Sequence, residues 1–419
     1  MKITKFFFQN ANSFVKRWKA QPFQVQWPRK HDKVFVAMSG GVDSSFSAYL
    51  LKKQGFNVEG VFMRNWLDED DAPGGCPAEQ DWSLVQKVCK QLDIPSRRFN
   101  FEKDYWTRVF EPSLELYEQG CTPNPDVPCN RYVKFGALYE ALENEMSREW
   151  ENGSCSTQQW WLATGHYAKT MKNASNNQVA LCLPKDRWKD QTLFLCTVQE
   201  KALQRTIFPL HNLEKKDVKR MAAHAGLNES ADRLESQGLC FVSPNVGSHF
   251  RSFLGRYLAS SNEPIRVVAN GKVVGFYPPS TGCWSYTIGE RCGLSLPQGD
   301  PEFQGRWYIW KKEASTNTIF ICHGSMNPLL FRKRIRVNHW TWSTEWIRQE
   351  ASKSKGPIDC SVRVRHQQTL EPAKALFQGD GLLVVDFLNP QRALTPGQVL
   401  AMYNDELCLG GGSIAADEP

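Results

Sequence analysis

The chain has 419 residues, enough for two or three domains, and its 41% hydrophobic content can fill real cores, yet no run approaches the ~20 apolar residues of a membrane span. The net charge of +7 is local: residues 1–31 hold Lys2, Lys5, Lys16, Arg17, Lys19, Arg29 and Lys30 and no Asp or Glu, so the remainder is neutral and bulk charge is no argument for nucleic-acid binding. Thirteen cysteines with no C-x-x-C pair and no secretory signal argue against a disulfide framework and against a zinc ribbon.

Residues 1–30 are basic and acid-free, with Phe6, Phe7, Phe8, Phe14 and Val15 interleaved, and read as a mitochondrial transit peptide. A disordered tail or an RNA-binding arm is the alternative. Residues 31–248 then alternate strand and helix. Val34–Met38, Val58–Met63, Arg98–Phe101 and Trp161–Thr164 are predicted strands; Ser44–Gln54, Asp81–Leu92 and residues 104–119 are predicted helices. Such alternation predicts an α/β domain, a doubly wound parallel sheet with its ligand at the carboxyl ends of the strands. Near residue 265 the pattern becomes short and β-rich. A small central β domain over 249–328 and a C-terminal β-barrel over 329–419 are expected. The predicted strands there are Ile265–Val268, Lys272–Phe276, Trp307–Lys311, Thr318–Ile321, Ile335–Val337, Cys360–Val364, Ala373–Phe377, Gly381–Phe387 and Gln398–Tyr403.

Three motifs carry chemistry. Ser39-Gly40-Gly41-Val42-Asp43-Ser44 lies between a strand and a helix. Two glycines let the backbone approach phosphate oxygens, and successive amides with the helix N-terminus form a partly positive concavity. Ser39 and Ser44 add hydroxyls, and Asp43 can hold Mg2+ on a pyrophosphate. With no Gly-Lys-Ser/Thr, it is not a Walker loop. The second motif, Thr122 to Asn130, is a proline-stiffened loop running into a helix, with Cys129 near the helix N-terminus, where a thiolate is stabilised, and Asp126 one short turn earlier. The third, residues 235–242, places Cys240 beside Gly238. Two thiols beside a pyrophosphate loop suit sulfur insertion, in which one carries the sulfur and the other frees it.

Together with VFMRNW (61–66), ATGHYA (163–168), KDQT (189–192), YTIGERCGL (286–294) and TPGQ…LGGGSI (395–414), these motifs make the chain resemble the tRNA-specific 2-thiouridylases of the MnmA type, in a mitochondrial version, from about Lys33 to Ile414. The resemblance implies a pyrophosphate-loop ATP pyrophosphatase domain that binds ATP through Ala37, Met38, Ser39, Gly40, Gly41, Val42, Asp43 and Ser44. Met63 and Gly165 would line the adenosine. Asn124, Pro125 and Asp126 would sit beside the target base, with Asp126 as acid/base, Cys129 as nucleophile and Cys240 as persulfide carrier. Lys189, Asp190, Gln191, His166, Arg365, His366 and Gln398 would meet tRNA.

The implied reaction flips out the wobble uridine of a tRNA anticodon loop, adenylates its O2 with ATP and Mg2+, and installs sulfur in the mitochondrial matrix. A cysteine desulfurase or relay protein would supply persulfide, and a reductant would reopen a Cys129–Cys240 disulfide, with no membrane involved. Release of hydrosulfide by Cys129 is an alternative route.

This chain departs from the family pattern at Arg365-His366, where Arg-Tyr is usual, and at Gly289-Glu290-Arg291-Cys292-Gly293-Leu294, where Gly-Gln-Arg-Lys-Gly-Leu is usual. Three rival readings stand beside this one. The chain could be another ATP pyrophosphatase, needing no paired thiols. It could use an iron–sulfur cluster, although only two cysteine ligands stand out where three or four are usual. It could be a non-catalytic RNA-binding protein with a relic loop. Two basic clusters, Lys215, Lys216, Lys219, Arg220 and Arg332, Lys333, Arg334, Arg336, are candidate phosphate grips or plain solvated faces.

Overall fold

The structure, a computed structural model, describes residues 22–66, 77–153, 159–232, 253–258, 263–278, 282–296, 300–354, 356–379 and 381–416. The segment 235–242, with Cys240, lies outside them.

Five parallel strands form the first sheet, in the order Ser96–Asn100, Asn57–Arg64, Lys33–Met38, Trp160–Thr164, Thr206–Ile207. The middle strand explains itself. Strand side chains alternate faces, and in Lys33–Met38 both faces are apolar. Val34, Val36 and Met38 enter one core with Phe46, Leu51, Val85, Val88 and Val218. Phe35 and Ala37 enter another with Tyr105, Val109, Phe135, Leu138 and Leu142. The sheet is thus covered by helices on both sides, as expected. The chain winds outward from Lys33–Met38 through its second and third strands, then returns to lay Trp160–Thr164 against the other flank of the first. The crevice between the carboxyl ends of those two strands is the topological switch point. The two-residue strand Thr206–Ile207 is too short to give a pattern in the sequence.

The second sheet has four strands in the order Lys272–Tyr277, Ile265–Ala269, Thr318–His323, Trp307–Glu313. The third contains a closed barrel of six: Phe331–Trp342, Leu382–Arg392, Glu371–Gly379, Ile358–Arg363, Val399–Asn404 and Leu407–Ile414, which returns to Phe331–Trp342. Leu407–Ile414 was not expected as a strand because of its glycine run. The run has a steric cause. A Cβ at Gly411 would fall 2.2 Å from Cys196 Sγ, and one at Gly412 would fall 2.7 Å from the Asn338 carbonyl oxygen. The barrel's closing strand thus slides between a neighbouring strand and the catalytic domain.

Two further segments join this sheet from outside the barrel. The hairpin Lys169–Asn173 and Val179–Cys182 abuts the closing strand at Leu407↔Cys182. Phe23–Val25 then pairs with Lys169–Asn173. Residues 22–30, inside the expected leader, therefore pack against the folded domains. Gln26, 3% exposed, donates to the carbonyls of Leu203 (2.8 Å) and Thr206 (2.7 Å), and the Phe23 ring lies 5.6 Å from that of Trp346. A leader removed after this strand would take these contacts with it. Removing residues 1–30 rather than 1–21 should cost about 2–3 kcal/mol, from two buried hydrogen bonds and the Phe23 contact. Thermal melts of the two truncated proteins check it, and equal midpoints would refute it.

Candidate active site

The loop 39–44 occupies the switch point. Gly40 has φ +75°, a left-handed value that suits glycine, and this turns the chain from strand into helix Val42–Lys53. Ser44 Oγ donates to the Gly41 carbonyl (3.0 Å) and accepts from Ser39 N–H (3.2 Å), and Ser39 Oγ accepts from Gly41 N–H (3.3 Å). The hydroxyls thus hold the loop in shape. No side chain caps the helix at Gly41, so its first amides face outward as an anion-binding end. Gly165 follows the adjacent strand. A Cβ there would stand 2.7 Å from both Asp43 C and Ser44 N, so only glycine lets the two loops meet. Met63 sits at the carboxyl end of Asn57–Arg64, one residue beyond the Met38↔Phe62 pair.

Asp43 is already engaged. Its Oδ1 accepts from Tyr167 OH at 3.0 Å and its Oδ2 from Lys215 Nζ at 2.5 Å. Lys215, in a basic cluster expected either to grip phosphate or to face solvent, is instead 9% exposed. Two of its cluster partners are locally neutralised, Lys216 by Glu214 and Arg220 by Asp217. In the other cluster Arg334 pairs with Asp386.

The second loop leads into a short turn, Asp126–Pro128, and a nine-residue π-helical stretch, Cys129–Ala137. Cys129 N–H donates to the Pro125 carbonyl (3.0 Å), which places the thiol one turn inside the helix rather than among its free amides. Asp126 and Cys129, three apart, share a helix face. Burial pushes the Asp126 carboxyl up to about 7, against the attraction of Lys134. Lys134 Nζ also reaches His166 Nε2 at 3.5 Å, and His166 Nδ1 meets Thr164 Oγ1 at 2.8 Å. Burial, then the Lys134 charge, holds His166 well below its ordinary value, so the ring is neutral. His166 directly follows Gly165. The helix bearing Cys129 is therefore tied to the pyrophosphate loop through one pair of contacts.

Both accessory domains grip the start of this loop. From the C-terminal domain, Pro396 O accepts from Thr122 N–H (2.9 Å) and Gln398 Nε2 donates to Thr122 O (2.6 Å). From the central domain, Lys312 Nζ donates to Thr122 Oγ1 (3.3 Å) and Tyr286 O (2.7 Å). Burial lowers the Lys312 ammonium to about 8. Gln398 thus has an internal partner, as do several other residues expected at the tRNA. Asp190, 1% exposed, accepts from Thr192 N–H (2.9 Å), from Thr192 Oγ1 (2.8 Å) and from Arg363 of the barrel. Gln191 Oε1 accepts from Tyr167 N–H (2.9 Å). His366 lies 5.2 Å, ring to ring, from Phe194, whose carbonyl accepts from Asn130 beside Cys129. Arg365 donates to the carbonyls of Arg392 and Ala393. Sequence reasoning gave no role to Tyr167, although it lies in the ATGHYA motif, nor to Lys312 and Arg363, which stand alone among ordinary residues in the sequence. Among the described residues no three His, Cys, Asp or Glu side chains converge on a metal-sized site.

A doubly wound sheet with SGGVDS at its switch point defines an ATP-using enzyme of the pyrophosphate-loop class. Family profiles match described as a tRNA methyl transferase HUP domain over residues 32–244, a tRNA methyl transferase PRC-barrel domain over 251–323 and an aminomethyltransferase beta-barrel domain over 332–414. The chain is 54% identical to mitochondrial tRNA-specific 2-thiouridylase 1 of Schizosaccharomyces pombe, over 100% of this chain and 99% of that one. It is 38% identical to the Drosophila melanogaster protein of that name, over 92% and 94%. It is 37% identical to the tRNA-specific 2-thiouridylase MnmA of Limosilactobacillus reuteri strain DSM 20016, over 92% and 95%. The chain belongs to the tRNA-specific 2-thiouridylase family.

Proposed function

We propose that this protein converts the wobble uridine of mitochondrial tRNAs to 2-thiouridine, using ATP and a cysteine-borne sulfur. The observation that carries the reading is the Lys134–His166 contact, because it joins the thiol-bearing helix to the pyrophosphate loop through Gly165. Adenylation and sulfur transfer need their groups around one base. End-to-end likeness to relatives named mitochondrial 2-thiouridylases supports the substrate, and with the basic first segment it supports the address.

The loop amides of residues 39–44 hold the triphosphate. Asp43 offers one carboxylate to Mg2+, which suits an ion usually bound by one or two carboxylates together with substrate phosphates. When bound, the ion offsets phosphate charge. The uridine sits beside Asn124, Pro125 and Asp126. Its O2 attacks the α-phosphorus, the bond to the bridging oxygen breaks and pyrophosphate departs, making O2 part of an AMP leaving group. Asp126 takes the proton of the Cys129 thiol, three residues along the same helix face. The outer sulfur of a Cys240 persulfide bonds to C2 as AMP leaves. The Cys129 thiolate then attacks Cys240 Sγ, so the outer sulfur stays on the base and a Cys129–Cys240 disulfide remains. Two electrons from an external dithiol reopen it, and a protein persulfide donor recharges Cys240. Lys189, Arg365 and His366 face the anticodon loop across the catalytic domain and barrel.

The test is to supply the protein with ATP, Mg2+, a cysteine desulfurase with cysteine as persulfide donor, a dithiol and unmodified tRNA, then digest the tRNA and look for 2-thiouridine by mass spectrometry. ATP-dependent 2-thiouridine is the expected result, and its absence with folded protein refutes the reading. With a carboxyl near 7, a base at Asp126 predicts a sulfur-transfer rate that rises from pH 6 to about 8, as the carboxylate form fills. Asp126→Asn should flatten that limb of the single-turnover pH profile. An unchanged profile would remove Asp126 from the proton transfer.

A further inference from the structure

We propose that Lys215 is a catalytic residue of the adenylation step, the cation that binds the β-phosphate of ATP and takes up the charge of the departing pyrophosphate. The proposal rests on the ATP-dependent reading above and names a residue that the loop motif does not contain.

Lys215 opens the helix Lys215–His224, 172 residues beyond Asp43 in sequence, yet its ammonium lies 2.5 Å from the Asp43 carboxylate. That carboxylate belongs to the loop itself, so Nζ stands within a side chain's reach of the amides of residues 39–44. The residue is fixed at both ends. Its backbone N–H donates to Asp186 Oδ2 (2.9 Å), and Nζ sits 5.9 Å from the centre of the Tyr167 ring. Tyr167 OH in turn donates to the other oxygen of Asp43. Asp186 also accepts from the amides of Trp188 (3.1 Å) and Lys189 (3.0 Å), so one carboxylate fixes both the start of the Lys215 helix and the segment before Asp190.

A largely buried ammonium needs a strong anionic partner. One carboxylate on a helix N-terminal turn could serve structure alone. The location says more. The SGGVDS loop contains no cation, and pyrophosphate-loop chemistry must offset charge on the leaving phosphates. When uridine O2 attacks the α-phosphorus and the bridging bond breaks, the electron pair passes to a β-phosphate oxygen. Lys215 is the side chain placed to receive that charge, sharing its ammonium between Asp43 and the phosphate.

The test compares Lys215→Met and Lys215→Arg with wild type in ATP- and tRNA-dependent AMP release, ATP affinity and tRNA affinity. Expected are a fall in AMP release of about 10²–10³-fold in Lys215→Met, partial recovery in Lys215→Arg, and unchanged tRNA affinity. A folded Lys215→Met protein that releases AMP at the wild-type rate overturns the proposal. If Lys215→Met does not fold, the double variant Asp43→Asn/Lys215→Met removes both charges together. Its stabilisation by α,β-methylene-ATP is then compared with that of Asp43→Asn alone. A smaller thermal shift in the double variant supports the role, and equal shifts overturn it. Wild type assayed in parallel separates the two ideas: no 2-thiouridine from wild type rejects the proposed function, whereas 2-thiouridine from both wild type and Lys215→Met rejects only the role of Lys215.

Discussion

Cys129→Ser is expected to bring 2-thiouridine formation down about 10³-fold or more while AMP release and tRNA binding persist. The two halves of the result have different causes. A serine hydroxyl is far less acidic than a thiol and cannot open a persulfide, so the sulfur step stops. Adenylation draws on the loop 39–44 and not on the thiol. The replacement should also leave the fold intact: Cys129 is 8% exposed, serine is nearly its size, and contacts of Pro125, Asn130 and Lys134 hold the helix. Tandem measurement of AMP and 2-thiouridine reads both halves. Normal thiolation by Cys129→Ser with a protein persulfide donor would end the two-thiol scheme, and loss of AMP release would show that Cys129 acts earlier.

The second large effect concerns stability. Arg363→Ala should destabilise the protein by about 3–5 kcal/mol, because it leaves the Asp190 carboxylate buried with Thr192 as its one remaining partner among the described residues. The side chains are 4% and 0% exposed, and Arg363 also lies 5.8 Å from the Tyr403 ring. Tyr403 OH meets Thr192 Oγ1 at 2.9 Å, so one small polar network crosses between barrel and catalytic domain. Asp190→Asn/Arg363→Met, which removes both charges, should recover most of the loss. Urea unfolding of the three proteins is the check. A single variant as stable as wild type would mean that water reaches the pair.

Much of this was legible in the sequence, for physical reasons. The sheet announced itself because a buried parallel strand such as Lys33–Met38 must be apolar on both faces, and the loop did because phosphate cradling needs glycines and hydroxyls in one short run. The accessory domains' motifs were legible as motifs but not as joints. Thr395–Gln398 holds Thr122, Asp190 holds Arg363, and Arg392 donates to Gly289 O (3.1 Å). Such pairs lie 103 to 276 residues apart, and nothing local distinguishes a lysine that grips solvent from Lys215, which meets Asp43. The contacts of residues 22–30 were hidden for a similar reason. Arg29 and Lys30 extend the leader's basic composition across a boundary set by Gln26 and Phe23, whose partners lie far down the chain.

That last separation bears on how the molecule comes to be folded. Gln26 must wait for Leu203 and Thr206, 177 and 180 residues later, and the barrel cannot close until Leu407–Ile414 arrives at the far end. A chain threaded through a pore with its N-terminus leading would emerge with its first strand unmatched and stay so until Lys169–Asn173 has followed. The catalytic sheet can form early, but the clamp on Thr122 from Pro396 and Gln398 comes last. Maturation of the active site is therefore tied to completion of the polypeptide, and a truncated or stalled chain would hold the nucleotide loop without a correctly seated Cys129.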